Sequence, residues 1–195
     1  MTTTIYLARH GVTMANQENR FAGRSDEPLH PEGAEQVAEV GRALAAKAIT
    51  AIYCGPLPRT RQSAEIIGQI IKAPVRSDEG LNEILLPHWD KLTKDEIRAR
   101  FGRQYPTWLS DPAGFSVPGC ETIADVQKRA VNSIEAIFAD NRGKSVLVVS
   151  HLIVVRALLL FYQQKPIADF RSIKVSNAQV ATLSRNDDGL VTVDY

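Results

Sequence analysis

Histidine and arginine side chains cluster directly after an apolar run near the start of the sequence. Residues 5–8 form that run, Arg9, His10 and Gly11 follow it, and Asn16 lies a few residues further on. Arginine presents a planar fork of donors that fits phosphate oxygens, and it stays charged at any relevant pH. A neutral histidine has a free ring nitrogen that can attack phosphorus, provided that its other nitrogen donates its proton to a carbonyl. These residue types therefore point to phosphoryl chemistry.

A second histidine and a second arginine follow two other apolar runs. The run "VLVV" leads into His151, and Arg59 opens a predicted helix after "ITAIYCG". In parallel sheets, ligands bind beyond the carboxyl ends of the strands. We therefore expect Arg9, His10, Arg59 and His151 to surround one crevice. The crevice would attract anions, and the starts of the following helices would add backbone N–H groups to it.

Cleavage of a phosphate ester also needs a proton donor for the leaving oxygen. Glu83, in "GLNEILL", follows the third candidate strand and has apolar neighbours. Partial burial raises the pKa of a carboxylic acid, so Glu83 is the predicted donor. The alternative is that Glu83 is a salt-bridge partner in a loop. Arg20 has two interpretations as well: it binds substrate, or it pairs with a carboxylate such as Asp26.

Strands alternate with helices along the chain, which predicts an α/β fold with a mostly parallel sheet covered on both faces. The predicted strands are residues 3–9, 49–55, 144–151, 177–185 and 190–195, with a short strand within 73–81. The predicted helices are residues 30–48, 58–71, 93–102, 121–141 and 152–162. We expect the last two strands to form a hairpin around residues 187–189.

Residues 82–119 interrupt this alternation. The segment holds four prolines and the aromatic residues Trp89, Tyr105, Trp108 and Phe115. We interpret it as a loop-rich, lid-like insertion with one helix at 93–102, in which the aromatic residues pack the lid and do not form a binding box. No linker or repeat divides the chain, so residues 1–195 are predicted to be a single domain.

Charge, the N-terminal pattern and the spacing of cysteines and histidines give no support to several classes of function. The net charge of the 195 residues is +1, so charge gives no reason to expect nucleic acid or a membrane surface as partner. The N-terminus lacks the pattern of a secretory signal, and a cytoplasmic protein is expected. Cys54 and Cys120 lack CxxC spacing and are predicted to be free thiols. No two histidines share a short spacing and no thiol pair joins them, so no metal site is expected.

Five segments together resemble the histidine phosphatase superfamily, in its phosphoglycerate-mutase-like branch (branch 1). The opening segment is "LARHGVTMANQENRFAGRSDEPLHPEGAEQ". The others are "IYCGPLPRTRQSAEII", "LNEI", "VPGCETIADVQKR" and "VLVVSHLIVVRALL". They cover nearly the whole chain in the family's order. The resemblance implies a three-layer α/β/α sandwich of the phosphoglycerate-mutase type, and it implies an enzyme that uses no metal or other cofactor.

The resemblance also implies a role for each matched residue. His10 is the nucleophile that becomes phosphorylated, and Glu83 is the proton donor that later activates water. Arg9, Arg59 and His151 bind the phosphoryl group. Asn16 contributes its side-chain amide and Gly23 a backbone N–H.

Some positions depart from the family's pattern. Leu152 stands where the family usually has glycine, Ala22 stands in place of a glutamine, and His30 replaces a threonine at a helix start. We include Ala22 and Leu152 among the substrate-binding residues. In "PHWDKLT", the replacements His88 and Lys91 favour an anionic leaving group, although an exposed loop is the default place for His88.

The predicted function is therefore a phosphomonoesterase that acts on a small phosphorylated metabolite through a phosphohistidine. One alternative is a phosphoglycerate-type mutase, although such mutases are longer. The other is a phosphate- or phosphoprotein-binding module without turnover. An apolar strand or helix face would support a homodimer.

Overall fold

Six strands form a single sheet in the computed structural model, which describes all 195 residues. They are β1 (Thr3–Arg9), β2 (Ile49–Cys54), β3 (Val75–Ser77), β4 (Ser145–Ser150), β5 (Val180–Arg185) and β6 (Val191–Asp194). The order across the sheet is β3-β2-β4-β1-β5-β6. The first four of these are parallel, whereas β5 is antiparallel to both β1 and β6. The predicted mostly parallel sheet is confirmed, and β5 and β6 form the predicted hairpin.

Seven α-helices connect or cover the strands. They are α1 (Met14–Gln17), α2 (Pro31–Leu44), α3 (Pro58–Ile71), α4 (Lys94–Phe101), α5 (Gln104–Ser110), α6 (Ile123–Asp140) and α7 (Leu152–Tyr162). Short 3-10 helices occupy Ala45–Lys47, Glu79–Leu81, Pro87–Trp89 and Ile167–Arg171. The predicted bounds of α3 and α7 agree with the structure residue for residue.

Alternate residues of the strands face two separate apolar layers, as the two-residue period of a strand requires. Val146 and Val148 of β4 belong to the larger core, which includes residues of α6 and α7. Leu147 and Val149 belong to the smaller core, together with residues of α2 and α3. The sheet is therefore covered by helices on both faces, which confirms the three-layer α/β/α sandwich.

The strand register places three strand ends side by side. Arg9 at the end of β1 pairs with Ser150 at the end of β4, and Cys54 of β2 pairs with Val149 of β4. The His10 amide donates to the Ser150 carbonyl at 3.0 Å, which continues the alignment beyond the strands. The residues that follow β1, β2 and β4 consequently meet at one edge of the sheet.

Residues 82–119 contain more regular structure than the sequence predicts. They hold two α-helices, α4 and α5, where one was expected. Pro106 favoured a loop there, yet it lies in the first turn of α5, where the backbone N–H has no partner within the helix. Trp89 and Trp108 are 0% and 3% exposed and belong to the larger core, so this segment is part of the main packing.

Both cysteines are free thiols, as predicted. His30 is the N-cap of α2 and accepts a hydrogen bond from the Glu32 amide. No helix combines the length and the apolar character that a membrane crossing requires.

Candidate active site

His10 occupies the centre of the sheet edge, directly after β1. Its side chain is 4% exposed, and its Nδ1 lies 2.7 Å from the Gly11 carbonyl oxygen. A carbonyl can only accept, so Nδ1 carries the proton and donates it, which leaves Nε2 with a free lone pair. Burial, together with the charges of Arg59 and Arg9, lowers the pKa of His10 well below 6.5. The imidazole is therefore neutral and its free nitrogen is nucleophilic.

Gly11 brings this carbonyl into place because two backbone segments touch there. A Cβ at Gly11 would lie 2.3 Å from the Gly33 carbonyl oxygen at the start of α2. A Cβ at Gly33 would lie 2.2 Å from the Val12 carbonyl oxygen. Both positions need glycine for close approach of backbone, since no larger residue fits. The start of α2 consequently holds the loop that orients His10.

His151 lies beside His10, beyond the end of β4. The two ring centroids are 5.4 Å apart and the rings meet edge to face. Burial, together with the charges of Arg59 and His10, lowers the pKa of His151 well below 6.5. Neither ring nitrogen has a hydrogen-bond partner in the chain, although His151 is fully buried. A buried imidazole with two unused nitrogens is costly, so a ligand at this edge is the natural partner.

Arg9 and Arg59 approach His10 from two strand ends. Arg59, the second residue of α3, is 1% exposed and donates to the Gly23 and Ser25 carbonyl oxygens at 2.6 and 3.0 Å. Arg9 donates to the Val175 carbonyl oxygen at 3.0 Å. The Nε of each guanidinium is buried without a partner. Neither arginine has an ion pair, which leaves both charges available to an anion.

Glu83 faces the same cavity from the segment after β3 and is 8% exposed. Its Oε1 accepts a hydrogen bond of 2.8 Å from the Ile84 amide. Burial raises the pKa of Glu83, while the Ile84 hydrogen bond and nearby arginines partly oppose this. The carboxyl therefore holds a proton at a higher pH than an exposed glutamate does. No salt bridge involves Glu83, so the loop salt-bridge interpretation is wrong.

Two further arginines hold the backbone on which Glu83 sits. Arg24 and Arg129 donate to the Glu83 carbonyl oxygen at 2.8 and 3.1 Å. Glu121 accepts from both guanidiniums at 3.0 Å and from the Leu85 amide at 2.9 Å. Hydrogen bonds with a charged donor or acceptor are stronger than neutral ones. This network fixes the position of Glu83 relative to His10.

The remaining predicted residues line one cavity of about 360 Å³ with the groups above. They are Asn16, Ala22, Gly23 and Leu152. The Asn16 side-chain oxygen accepts from the Thr13 amide and from the Asn177 side chain. Its amide nitrogen is thereby left for a ligand. The structure thus brings eight of the nine predicted site residues to the cavity wall, and His151 lies behind them.

Several cavity residues were missed at the level of sequence. They are Asn19, Phe21, Lys94, Ile153, Arg156, Arg171 and Asn177. Tyr105 and Trp108, expected only to pack the lid, line the cavity as well. Arg156 had a signal, because it is the single charged residue in the apolar run of α7. No sequence signal pointed to Lys94 or Arg171, because both come from segments far along the chain from the predicted site residues. Arg20, for which both substrate binding and a carboxylate partner were considered, lines the cavity and pairs with Glu18 and Glu96, not with Asp26.

The expectation for His88 and Lys91 is wrong, because neither side chain lines the cavity. His88 is half-buried rather than exposed, and its Nε2 lies 2.7 Å from the Gln104 side-chain oxygen. Lys91 is exposed and adopts a positive φ of 65°. In "PHWDKLT", His88 and Lys91 therefore do not reach the site, whereas Asp90 lies against Gly23 of the cavity wall, where a Cβ would meet the Asp90 Oδ1 at 1.6 Å. No group of three or more His, Cys, Asp or Glu side chains is arranged to hold a metal ion.

Comparison with known proteins agrees with this geometry. The family model "Histidine phosphatase superfamily (branch 1)" matches residues 5–195. A probable 2-carboxy-D-arabinitol-1-phosphatase of Arabidopsis thaliana is 33% identical over 93% of this chain and 38% of that protein. The chain thus spans little more than a third of that relative. A probable phosphoglycerate mutase GpmB of Citrobacter koseri is 30% identical over 91% of this chain and 82% of that protein. The structure of YhfR from Bacillus stearothermophilus superposes with a TM-score of 0.93 at 31% identity, covering 98% of this chain and 95% of that one.

Proposed function

Because this chain belongs to branch 1 of the histidine phosphatase superfamily, we propose that it hydrolyses phosphate monoesters of small metabolites through a phosphohistidine and without a metal ion. The observation that carries the proposal is the hydrogen bond from His10 Nδ1 to the Gly11 carbonyl. It leaves a neutral imidazole with a free nitrogen between two unpaired arginines. A mere anion-binding site would not need that orientation.

In the first step, His10 Nε2 attacks the phosphorus in line with the leaving oxygen. The N–P bond forms as the P–O bond to the alcohol breaks. Arg9 and Arg59 neutralise the phosphoryl oxygens, and His151 contacts them through a ring nitrogen. Glu83 gives its proton to the leaving oxygen, so the alcohol departs neutral and Glu83 becomes a carboxylate.

In the second step, water attacks the phosphohistidine. The Glu83 carboxylate takes a proton from the water as the O–P bond forms, and the N–P bond breaks. Inorganic phosphate leaves, His10 is neutral again, and Glu83 is ready for the next cycle. One carboxyl group serves both steps because burial raises its pKa, so that it holds a proton more readily than an exposed glutamate does and can still release it.

Hydrolysis of p-nitrophenyl phosphate in the presence of EDTA tests this proposal. We expect wild-type turnover that EDTA leaves unchanged, and a phosphoenzyme that is labile in acid and stable in base. The His10→Ala variant is the control. If the wild type releases no more p-nitrophenol than His10→Ala does, the site binds phosphate without turnover and the proposal fails.

A mutase is the second candidate, and the relatives named phosphoglycerate mutase favour it. In a mutase, the phosphoryl group on His10 returns to a second hydroxyl of the substrate and not to water. Incubation of 3-phosphoglycerate with a bisphosphoglycerate primer separates the two activities. Isomerised phosphoglycerate would support the mutase, whereas release of inorganic phosphate alone would support the phosphatase.

A further inference from the structure

Besides Arg20, which pairs with Glu18 and Glu96, three cationic side chains that the proposed chemistry does not use line the same cavity. They are Lys94 of α4, Arg156 of α7 and Arg171 at the end of a 3-10 helix. None of the three has a carboxylate within ion-pairing distance. Glu83 is the one acidic residue in the cavity lining. The cavity therefore holds far more positive charge than one phosphoryl group requires.

These side chains lie to one side of the phosphoryl site. Arg156 follows Leu152 by four residues, so its backbone is about 6 Å further along the α7 axis than the start of that helix beside His151. Arg171 is held by α5, where it donates to the Trp108 carbonyl oxygen at 3.1 Å. Burial and the charge of Arg156 lower the pKa of Arg9, and burial and the charge of Arg171 lower the pKa of Arg156, so the three guanidiniums are neighbours in this order. The positive charge consequently extends from the phosphoryl site toward Arg171.

The guanidiniums of Arg156 and Arg171 are held in place by aromatic rings, but not all of their hydrogen-bond donors have a partner. Arg156 stacks on the Phe170 ring and Arg171 on the Trp108 ring, at 5.4 and 5.6 Å from the ring centroids. The Nε of each is buried without a hydrogen-bond partner. These cation–π contacts hold the guanidiniums in place, and the unpartnered Nε of each is left for a planar or tetrahedral anion.

A purely structural role does not explain this pair. Other partly buried arginines of this chain meet carboxylates, as Arg129 meets Glu121 and Arg185 meets Glu135. Burial, with the charge of Arg171, instead lowers the pKa of Arg156 to about 10. The charge of Arg171 also lowers the pKa of Lys94, after burial. Like charges held together without an anion destabilise the fold, and a bound anion would relieve that cost.

We propose that Arg156 and Arg171 form a second anion subsite, so that the preferred substrate is a small phosphomonoester with a second anionic group on its leaving-group side. Lys94 lines the same cavity near Arg171 and adds positive charge there. The inference rests on the proposed function, since it assumes that the first anion is the phosphoryl group at His10. The second anion is a carboxylate or a second phosphate, because a guanidinium binds either through two oxygens.

Matched substrates test the subsite directly. The probes are 3-(phosphonooxy)propanoate, propane-1,3-diyl bisphosphate and the uncharged reference 3-hydroxypropyl phosphate, which share one carbon chain. We expect the wild type to favour at least one anionic probe over the reference by about 10- to 100-fold in kcat/KM. The kcat/KM values of the carboxylate probe and the bisphosphate probe, compared with each other, show which anion the subsite prefers.

Arg156→Met and Arg171→Met should each reduce that preference by about tenfold or more. The ratio is measured on one preparation, so a loss of folded protein cancels. The matched control is Arg61→Met, because Arg61 is an exposed arginine of α3 that pairs with Glu65 outside the cavity. Equal kcat/KM for all three probes in the wild type, or a preference that survives both variants, would overturn the subsite.

Failure of the proposed function is distinguishable from failure of the subsite. If the wild type hydrolyses neither p-nitrophenyl phosphate nor the probes, the phosphatase proposal fails. The same probes are then titrated against His10→Ala and His10→Ala/Arg156→Met by calorimetry. Tighter binding of an anionic probe that depends on Arg156 supports the subsite, and equal affinities for all probes contradict it.

Discussion

Replacement of Glu83 by glutamine removes the proton donor with little change in shape. The Glu83 backbone stays in place because Arg24 and Arg129 hold its carbonyl oxygen. The glutamine oxygen can still accept from the Ile84 amide, as Glu83 Oε1 does at 2.8 Å. The variant therefore tests the exchangeable proton of this carboxyl, whose pKa is raised by burial.

The loss of kcat/KM in Glu83→Gln should depend on the leaving group of the substrate. General acid–base catalysis contributes about 10²- to 10⁴-fold, which corresponds to about 2.7–5.4 kcal/mol of barrier. Alkyl phosphates need the proton in the first step, so we expect Glu83→Gln to lose this full factor in kcat/KM. p-Nitrophenolate leaves without a proton, so transfer of its phosphoryl group to His10 should be largely retained. The second step still lacks its base and becomes slow.

Rapid-quench kinetics with p-nitrophenyl phosphate measures both effects. Glu83→Gln should release a burst approaching one equivalent of p-nitrophenol per site, followed by slow turnover, while phosphohistidine accumulates. The matched control is Glu79→Gln, an exposed glutamate of the same segment that does not line the cavity. If Glu83→Gln shows no burst and loses the same factor on alkyl and p-nitrophenyl phosphates, Glu83 is not the acid of this site.

Three other outcomes follow from the same structure. Arg59→Lys keeps the charge but loses the fork that bonds two backbone carbonyls, so kcat/KM should fall about 100-fold, and a change below fivefold would argue against Arg59 as a phosphoryl ligand. Trp89 is 0% exposed in the larger core, so Trp89→Ala should lower the free energy of unfolding by about 3–5 kcal/mol in urea titrations. His10 and His151 have pKa values below 6.5 in the folded chain, so the unfolded chain binds their protons first as the pH falls. The free energy of unfolding should therefore drop below pH 6.5 by up to about 1.4 kcal/mol per pH unit for each histidine, and the drop should shrink in His10→Asn.

Local pattern accounts for most of the fold. Apolar runs of strand length and amphipathic helices of ordinary period predicted a mostly parallel sheet covered on both faces, because each element reports its own buried face. Pattern failed in residues 82–119, where Pro106 and scattered aromatic residues indicated a loop. There the helix α5 is stabilised by burial of Tyr105 and Trp108 in the larger core, which is a tertiary effect.

By itself, the sequence determined which strand ends carry reactive groups. The apolar runs before Arg9, His10 and His151, and the rule that parallel strands end at one edge, were enough to predict a shared crevice. The tertiary structure alone decided the protonation of His10, through the Gly11 carbonyl and burial. It also decided that Arg156 and Arg171 share the cavity with His10. Distances between groups from distant segments depend on packing, and no local pattern of residues encodes them.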